Sequence, residues 1–224
     1  MCSSDLFNHY RVSFNTLFIL DPLFSIFFWT GAIILLIQKK SSPSRTRVAY
    51  LSSLLSACYL LFCMINKVRV NEVIEKTLTR DKISNENYFS TPTPLNNFLW
   101  YIVASDSNGF HIGYYSIFDN SDSIQYTTII RNRAVDDSLA GNKEVKKLER
   151  FSQGYYMLAK DSTGVVFSDM RMGQIGGWSD PEAPFVFRYH ISDIGGNSML
   201  VQKGRLQALK DGAMIKLWER IKGR

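Results

Sequence analysis

A carboxylate at the edge of an apolar run is the residue in this sequence best placed to do chemistry. Asp21 stands directly before Pro22, where the uncharged stretch Pro22 to Gln38 begins. At the mouth of a membrane span a carboxylate must be solvated, paired or bound to a cation. Arg11 and Asn15 precede it at spacings that could bring all three to one face. A plainer reading fits equally well: Asp21 as the N-cap of a helix with Pro22 at N1 needs no ligand. The sequence leaves both open.

Other reactive residue types are scattered. His9, His111 and His190 lie far apart, and none belongs to an HExxH or HxxxD arrangement that would set two ligands on one helix face, so each reads as structural or surface. Gly173, Gly176 and Gly177 lack the strand, glycine-rich loop and helix with Lys-Ser/Thr that a phosphate loop needs, and read as turn residues. There is no GxSxG elbow. Cys2, Cys58 and Cys63 make no CxxC pair and no Cys/His cluster, which leaves a thiolate zinc site without support. Asp169 and Arg171 read as a pair within a turn.

Two apolar runs must position Asp21. Pro22 to Gln38 and Val48 to Asn66 are each about long enough to cross a bilayer core at ~1.5 Å per residue. The first is apolar on every face rather than along one stripe, which favours lipid over a buried core hairpin as its neighbour. Spans are therefore expected near 17–38 and 48–66. The link between them carries Lys39, Lys40, Arg45 and Arg47 and no acid, a pattern that marks a cytoplasmic loop. The N-terminus and everything after Asn66 would then lie outside. Lys67, Arg69, Lys76 and Arg80 give the other flank a comparable count and weaken that inference. With only Arg11 as a firm positive charge before the first run, a cleaved signal peptide is not expected.

The 224-residue chain divides into a greasy part up to about Asn66 and a polar, aromatic-rich remainder, which its mean hydropathy near zero conceals. The boundaries expected are a membrane anchor over 1–66, a helical extension and linker over 67–90, a soluble domain over 91–200 and a basic amphipathic helix over 201–224. Val70 to Thr79 has helical spacing, so the second membrane helix can continue out of the bilayer and end near Asp81 to Asn87. Phe98 to Val103 and Phe110 to Phe118 read as a β-hairpin whose Asn108-Gly109 turn supplies a positive φ. Ile124 to Ile130, Tyr155 to Lys160, Val165 to Met170 and Phe185 to Ile191 read as further strands, with a short helix around Lys143 to Phe151. The fold class is α+β: two transmembrane helices, then a small, mostly antiparallel domain.

Net charge is +6, and Lys203 to Arg224 holds seven Lys/Arg against Asp211 and Glu219. Leu206, Leu209, Ala213, Leu217 and Ile221 recur there at helical spacing beside Trp218. A helix on a membrane surface over anionic lipid headgroups and a helix packed on its own domain both satisfy this pattern. Nucleic acid is not an expected partner, because no recognition motif accompanies the charge.

One resemblance adds to this reading. The segment Tyr10-Arg11-Val12-Ser13-Phe14-Asn15-Thr16-Leu17-Phe18-Ile19-Leu20-Asp21-Pro22-Leu23-Phe24 resembles part of the YdjM-like family of bacterial inner-membrane proteins, named membrane-bound metal-dependent hydrolases. The likeness continues in order through Thr93-Pro94-Leu95-Asn96-Asn97-Phe98-Leu99-Trp100, Gly113 to Ser116, Phe151 to Tyr156 and Asp169-Met170-Arg171-Met172-Gly173. It implies a divalent metal, zinc or manganese, activating water against an ester or phosphoester, with a lipid among the candidate substrates. Members begin with further helices bearing a Thr-His-x-x-x-Asp type motif, which precedes the Tyr-Arg-Val segment and is not in this sequence. On that reading the chain is expected to be the C-terminal portion of a longer protein, with those N-terminal helices as its partner. Of the family's catalytic site only Asp21, Asn15 and Arg11 would remain, and this chain alone is expected to hold no metal. The alternative expectation is a non-enzymatic envelope protein that binds a partner or a lipid headgroup through its β-rich domain.

Overall fold

A computed structural model describes residues 15–18, 21–83, 87–161, 164–191, 201–202 and 212–223. The first apolar run forms helix α1, Pro22–Ile37, and the second begins helix α2, Ser44–Arg80. At about 1.5 Å per residue the 37 residues of α2 extend roughly 56 Å, further than a bilayer core is thick. Among the described residues α2 is the one helix long and apolar enough to cross a membrane, while the sixteen residues of α1 reach about 24 Å. The continuation past Val70 expected from helical spacing is present, and the helix ends at Arg80.

Helices α1 and α2 form a hairpin. The helices meet tightly at Gly31, the buried residue of α1, where a Cβ would lie 2.5 Å from the Ser52 Cβ and Oγ. A side chain at 31 would collide there, so glycine lets the two helices pack. Arg45 closes the other end by donating to the Leu35 and Gln38 carbonyls, the orphan acceptors at the C-terminus of α1.

The remainder is α+β with antiparallel sheets. One sheet runs β1 (Asn87–Pro92), β2 (Leu99–Ser105), β3 (Gly109–Ser116) and β4 (Tyr126–Ile130) in that order. A second runs β5 (Tyr156–Asp161), β6 (Gly164–Gln174), β7 (Phe185–Ile191) and β8 (Val201–Gln202). Helices α3 (Arg133–Leu139) and α4 (Lys143–Ser152) connect them, and α5 (Ala213–Ile221) follows. Strand β1, helix α3 and the second sheet as a separate unit go beyond the expected elements. The described part of the C-terminal helix covers Ala213–Ile221; Leu206 and Leu209 lie outside the described residues.

Burial gives four layers. The distal half of α2 puts Val70, Val73, Ile74 and Leu78 against Trp100, Ile102 and Ala104 of β2 and Tyr115 of β3. The alternate β2 residues Tyr101 and Val103 face the second sheet and meet Met170 and Phe185. Val135, Val145 and Leu148 of α3 and α4 cover its far side over Tyr156, Leu158 and Phe167. Strand β2 is buried on both faces, which is why it reads as the unbroken run Leu-Trp-Tyr-Ile-Val-Ala.

One expectation about the β2–β3 hairpin is corrected. Neither Asn108 nor Gly109 is among the positive-φ residues. Asp106 Oδ1 instead accepts from the Asn108 and Gly109 backbone N–H groups, and Asp106 N–H donates to the Gly109 carbonyl. Glycine is required at 109 by crowding: a Cβ would lie 2.1 Å from the Ile129 carbonyl oxygen across the strand pair.

Candidate functional site

Asp21 begins α1 with φ −74° and ψ 112°, extended geometry suited to a cap. Its Oδ1 accepts from Leu23 N at 2.9 Å and Phe24 N at 3.2 Å, and its Oδ2 accepts from the Tyr59 hydroxyl at 3.0 Å. With 1% of its surface exposed, the carboxylate is held at the positive end of the α1 dipole by two amides and a phenol. This is the capping reading of Asp21-Pro22 realised in atoms. Asn15 adopts φ 45°, a left-handed conformation that Asn tolerates better than most residues. Arg11 lies outside the described residues.

A metal at this point fits poorly. Among the described residues no three His, Cys, Asp or Glu side chains come together. A divalent cation needs several such donors, and the Asp21 carboxylate already accepts three hydrogen bonds, two of which its role as a cap accounts for.

The segment 15–18 is tied to the domain by a buried amide cluster. Asn97, fully buried, donates from Nδ2 to the Thr16 carbonyl at 2.6 Å. Asn66 of α2 donates to the Asn97 Oδ1 at 3.1 Å and to its carbonyl at 3.2 Å, and Trp100 Nε1 donates to the same carbonyl. Asn96 shapes the loop: its Oδ1 accepts from Phe98 N and Leu99 N, and its Nδ2 donates to Thr93 Oγ1 and the Pro94 carbonyl. The Thr93 to Trp100 motif is thus a clamp that joins the approach to α1, the middle of α2 and the start of β2. Sequence reading singled out this motif but gave Asn66 and Asn97 no role, because their partners are 31 and 81 residues away.

Directly after the clamp residue Asn66, Lys67 donates to the Ser90 carbonyl at 2.6 Å and to Ser90 Oγ at 2.7 Å, with its ammonium 5.5 Å from the centre of the Trp100 ring. Ser90 Oγ in turn donates to Asn71 Oδ1 at 2.9 Å. Burial pushes the Lys67 pKa down to about 8. The depressed folded value means that the unfolded chain holds the extra proton between about pH 8 and the usual lysine value near 10.4, so this group adds stability as pH rises through that window. We expect Lys67→Met to flatten the pH 8 to 10 limb of the stability profile, measured by denaturant midpoint at constant ionic strength; an unchanged limb would assign it to other groups.

Two further sites are structural. Asp169, fully buried on β6, receives the Arg171 guanidinium through Nε at 3.2 Å and a terminal nitrogen at 2.8 Å, and also the Arg171 amide. The expected pair forms, but on strand β6 rather than within a turn, beside an irregularity between Asp169 and Gln174. His111 on β3 bridges Thr128 Oγ1 and Asp106 Oδ2, each at 3.0 Å. Burial works against the Asp106 carboxylate, but the His111 contact and the Asn108 and Gly109 amides outweigh it and hold its pKa below the usual value. An open cleft of about 530 Å³ beside His111 is lined by Arg80, Asp81, Gln125 and Tyr126 as well as Thr128. Both ring nitrogens of His111 are engaged, so it anchors the β2–β3 turn to β4. Thr128 is its cross-strand neighbour on β4 and Asp106 lies in the turn before β3, pairings that residue spacing alone does not reveal.

No family model, curated protein or solved structure matches this chain.

Proposed function

We propose that this chain is a non-enzymatic, membrane-anchored envelope protein that displays its β-rich domain rigidly at one face of a bilayer, where it binds a partner or lipid headgroups. The observation that supports this is the single helix α2. Its first half exposes Tyr50, Leu51, Leu54, Leu61 and Met64, whereas Val70, Val73, Ile74 and Leu78 of its second half are core residues of the domain. Such an apolar surface needs lipid or protein cover. Continuity of the helix transmits the orientation of the anchor to the domain without a flexible joint. The basic link 39–47 would face the cytoplasm and the domain the outside of a bacterial inner membrane.

Hydrolase chemistry of the resembled family would need metal ligands beyond those of the described residues. Asp21 serves here as a helix cap. The test is extraction and metal analysis of the full chain. It should stay in the membrane pellet after an alkaline carbonate wash and purify without stoichiometric zinc or manganese, with Asp21→Asn indistinguishable because Asn caps as well as Asp. Release into the wash would overturn the anchor. Stoichiometric metal that Asp21→Asn abolishes would restore the hydrolase reading.

A further inference from the structure

Helix α5 has a wider apolar side than the domain covers. Leu217 and Ile221 are buried against Leu99, with Phe98, Tyr114 and Trp178 around them. The helix is also fixed by polar contacts: Arg220 grips Asp119 through both terminal nitrogens, at 2.6 and 2.9 Å, and donates to the Tyr114 carbonyl, while the Ser116 hydroxyl donates to the Ile221 carbonyl. Packing on its own domain therefore accounts for the Leu217–Ile221 stripe that the sequence pattern picked out. It leaves Met214, Ile215 and Trp218 at 50, 68 and 57% exposure. At about 100° per residue these three occupy the arc adjoining that stripe, so an apolar surface continues off the domain edge.

Contacts place this surface beside the apolar half of α2. Gly223, just past α5, lies so close to the turn after β3 that a Cβ there would meet the Phe118 carbonyl at 2.7 Å. The exposed Phe118 ring lies 5.6 Å from that of Phe98, and Phe98 lies 6.2 Å from Phe62 of α2. Phe62 precedes Asn66 by one helical turn, on the side where α2 is apolar and exposed. A row of aromatic rings thus runs from the end of the proposed span to the foot of α5. Lys222 holds its ammonium 5.2 Å from the centre of the Trp218 ring, at the border of the exposed arc.

We propose that Met214, Ile215 and Trp218, with Phe118, seat in the interfacial zone of the same bilayer that holds α1 and α2. The proposal rests on the bilayer reading of that hairpin. Tryptophan is favoured at this depth because its ring is apolar and its N–H stays near water, and a neighbouring lysine can reach the headgroups while its stem lies along apolar surface. An interfacial helix of this kind lies about 5–10 Å into the boundary between headgroups and chains. The domain would then have three footings, α1, α2 and the α5 face, which together fix its tilt as well as its height.

The test uses the full chain with Cys2, Cys58 and Cys63 replaced by Ser, spin-labelled singly and placed in nanodiscs of zwitterionic phosphatidylcholine. Labels go at Ile215→Cys, at Leu54→Cys in the anchor, and at Ile130→Cys, which pairs with Gly109 at the opposite end of β3 from the α5 contacts. Circular dichroism of each labelled protein checks that it is folded. Power saturation with oxygen and with a water-soluble nickel chelate should show a higher oxygen-to-nickel ratio at 215 than at 130, approaching that at 54. A ratio at 215 equal to that at 130, with 54 still shielded, would overturn the α5 proposal alone and leave the face to a protein partner. Nickel access at 54 would overturn the anchor and this proposal together.

Discussion

Ile74→Ala is expected to destabilise the β-rich domain by about 2–5 kcal/mol, although residue 74 belongs to the same helix that carries the apolar run. Ile74 is fully buried and packs in a cluster with Trp100, Ile102, Tyr115 and Ile124. Truncation removes the transfer energy of its side chain and leaves a cavity that a rigid helix over a β-sheet closes poorly. Glu72 and Lys76 flank it on the exposed face of α2, and their alanine variants should stay within about 0.5 kcal/mol of the parent. Denaturant unfolding in one detergent, followed by near-ultraviolet circular dichroism, checks this. If Ile74→Ala behaved like Glu72→Ala, the distal half of α2 would not be part of the domain core, and the rigid coupling we propose would lose its basis.

The contrast between local and distant signals explains how much of this molecule its sequence displays. Helix α2 was legible to its end because apolar residues recur at helical spacing past Val70, and the strands Leu99–Ser105 and Phe185–Ile191 stand out as β-branched and aromatic runs. Asp21 was legible as a cap because its partners are two and three residues away. Its third partner, Tyr59, is 38 residues on, and nothing local to either residue announces the pairing. Strand β1 escaped because Asn87–Pro92 is short, ends in proline and is stabilised by its neighbours: β2 on one side and Lys67 reaching Ser90 from α2. The Asn108-Gly109 dipeptide pointed to the right turn for the wrong reason, since Asp106 supplies the turn geometry and Ile129 excludes a side chain at 109. Helical periodicity in the C-terminal tail was equally partial: it found the buried stripe of α5 with Trp218 beside it and passed over the exposed Met214 and Ile215.

Asn97→Asp should be the most damaging isosteric change in the protein, and more damaging than Asn97→Ala. The substitution keeps an acceptor for the Asn66 amide but replaces the Nδ2 donor that meets the Thr16 carbonyl. In a site with no solvent exposure the new carboxylate would either stay charged without a cation, at a cost of several kcal/mol, or take up a proton and shift its pKa far upward. We expect a loss of about 3–5 kcal/mol near neutral pH, partly recovered as pH falls and the acid protonates. Asn97→Ala should cost about 1–3 kcal/mol for the donors and acceptors left unpaired. A double-mutant cycle with Asn66→Ala should show a coupling of about 0.5–3 kcal/mol, because the two amides bond directly. Additive losses in that cycle, or an Asn97→Asp variant no weaker than Asn97→Ala at neutral pH, would mean that the amide cluster is open to water and does not clamp the approach to α1 onto the domain. If the clamp holds, the segment before Asp21, the middle of α2 and the first sheet form one rigid unit, and the domain cannot swing relative to the α1–α2 hairpin without breaking buried hydrogen bonds.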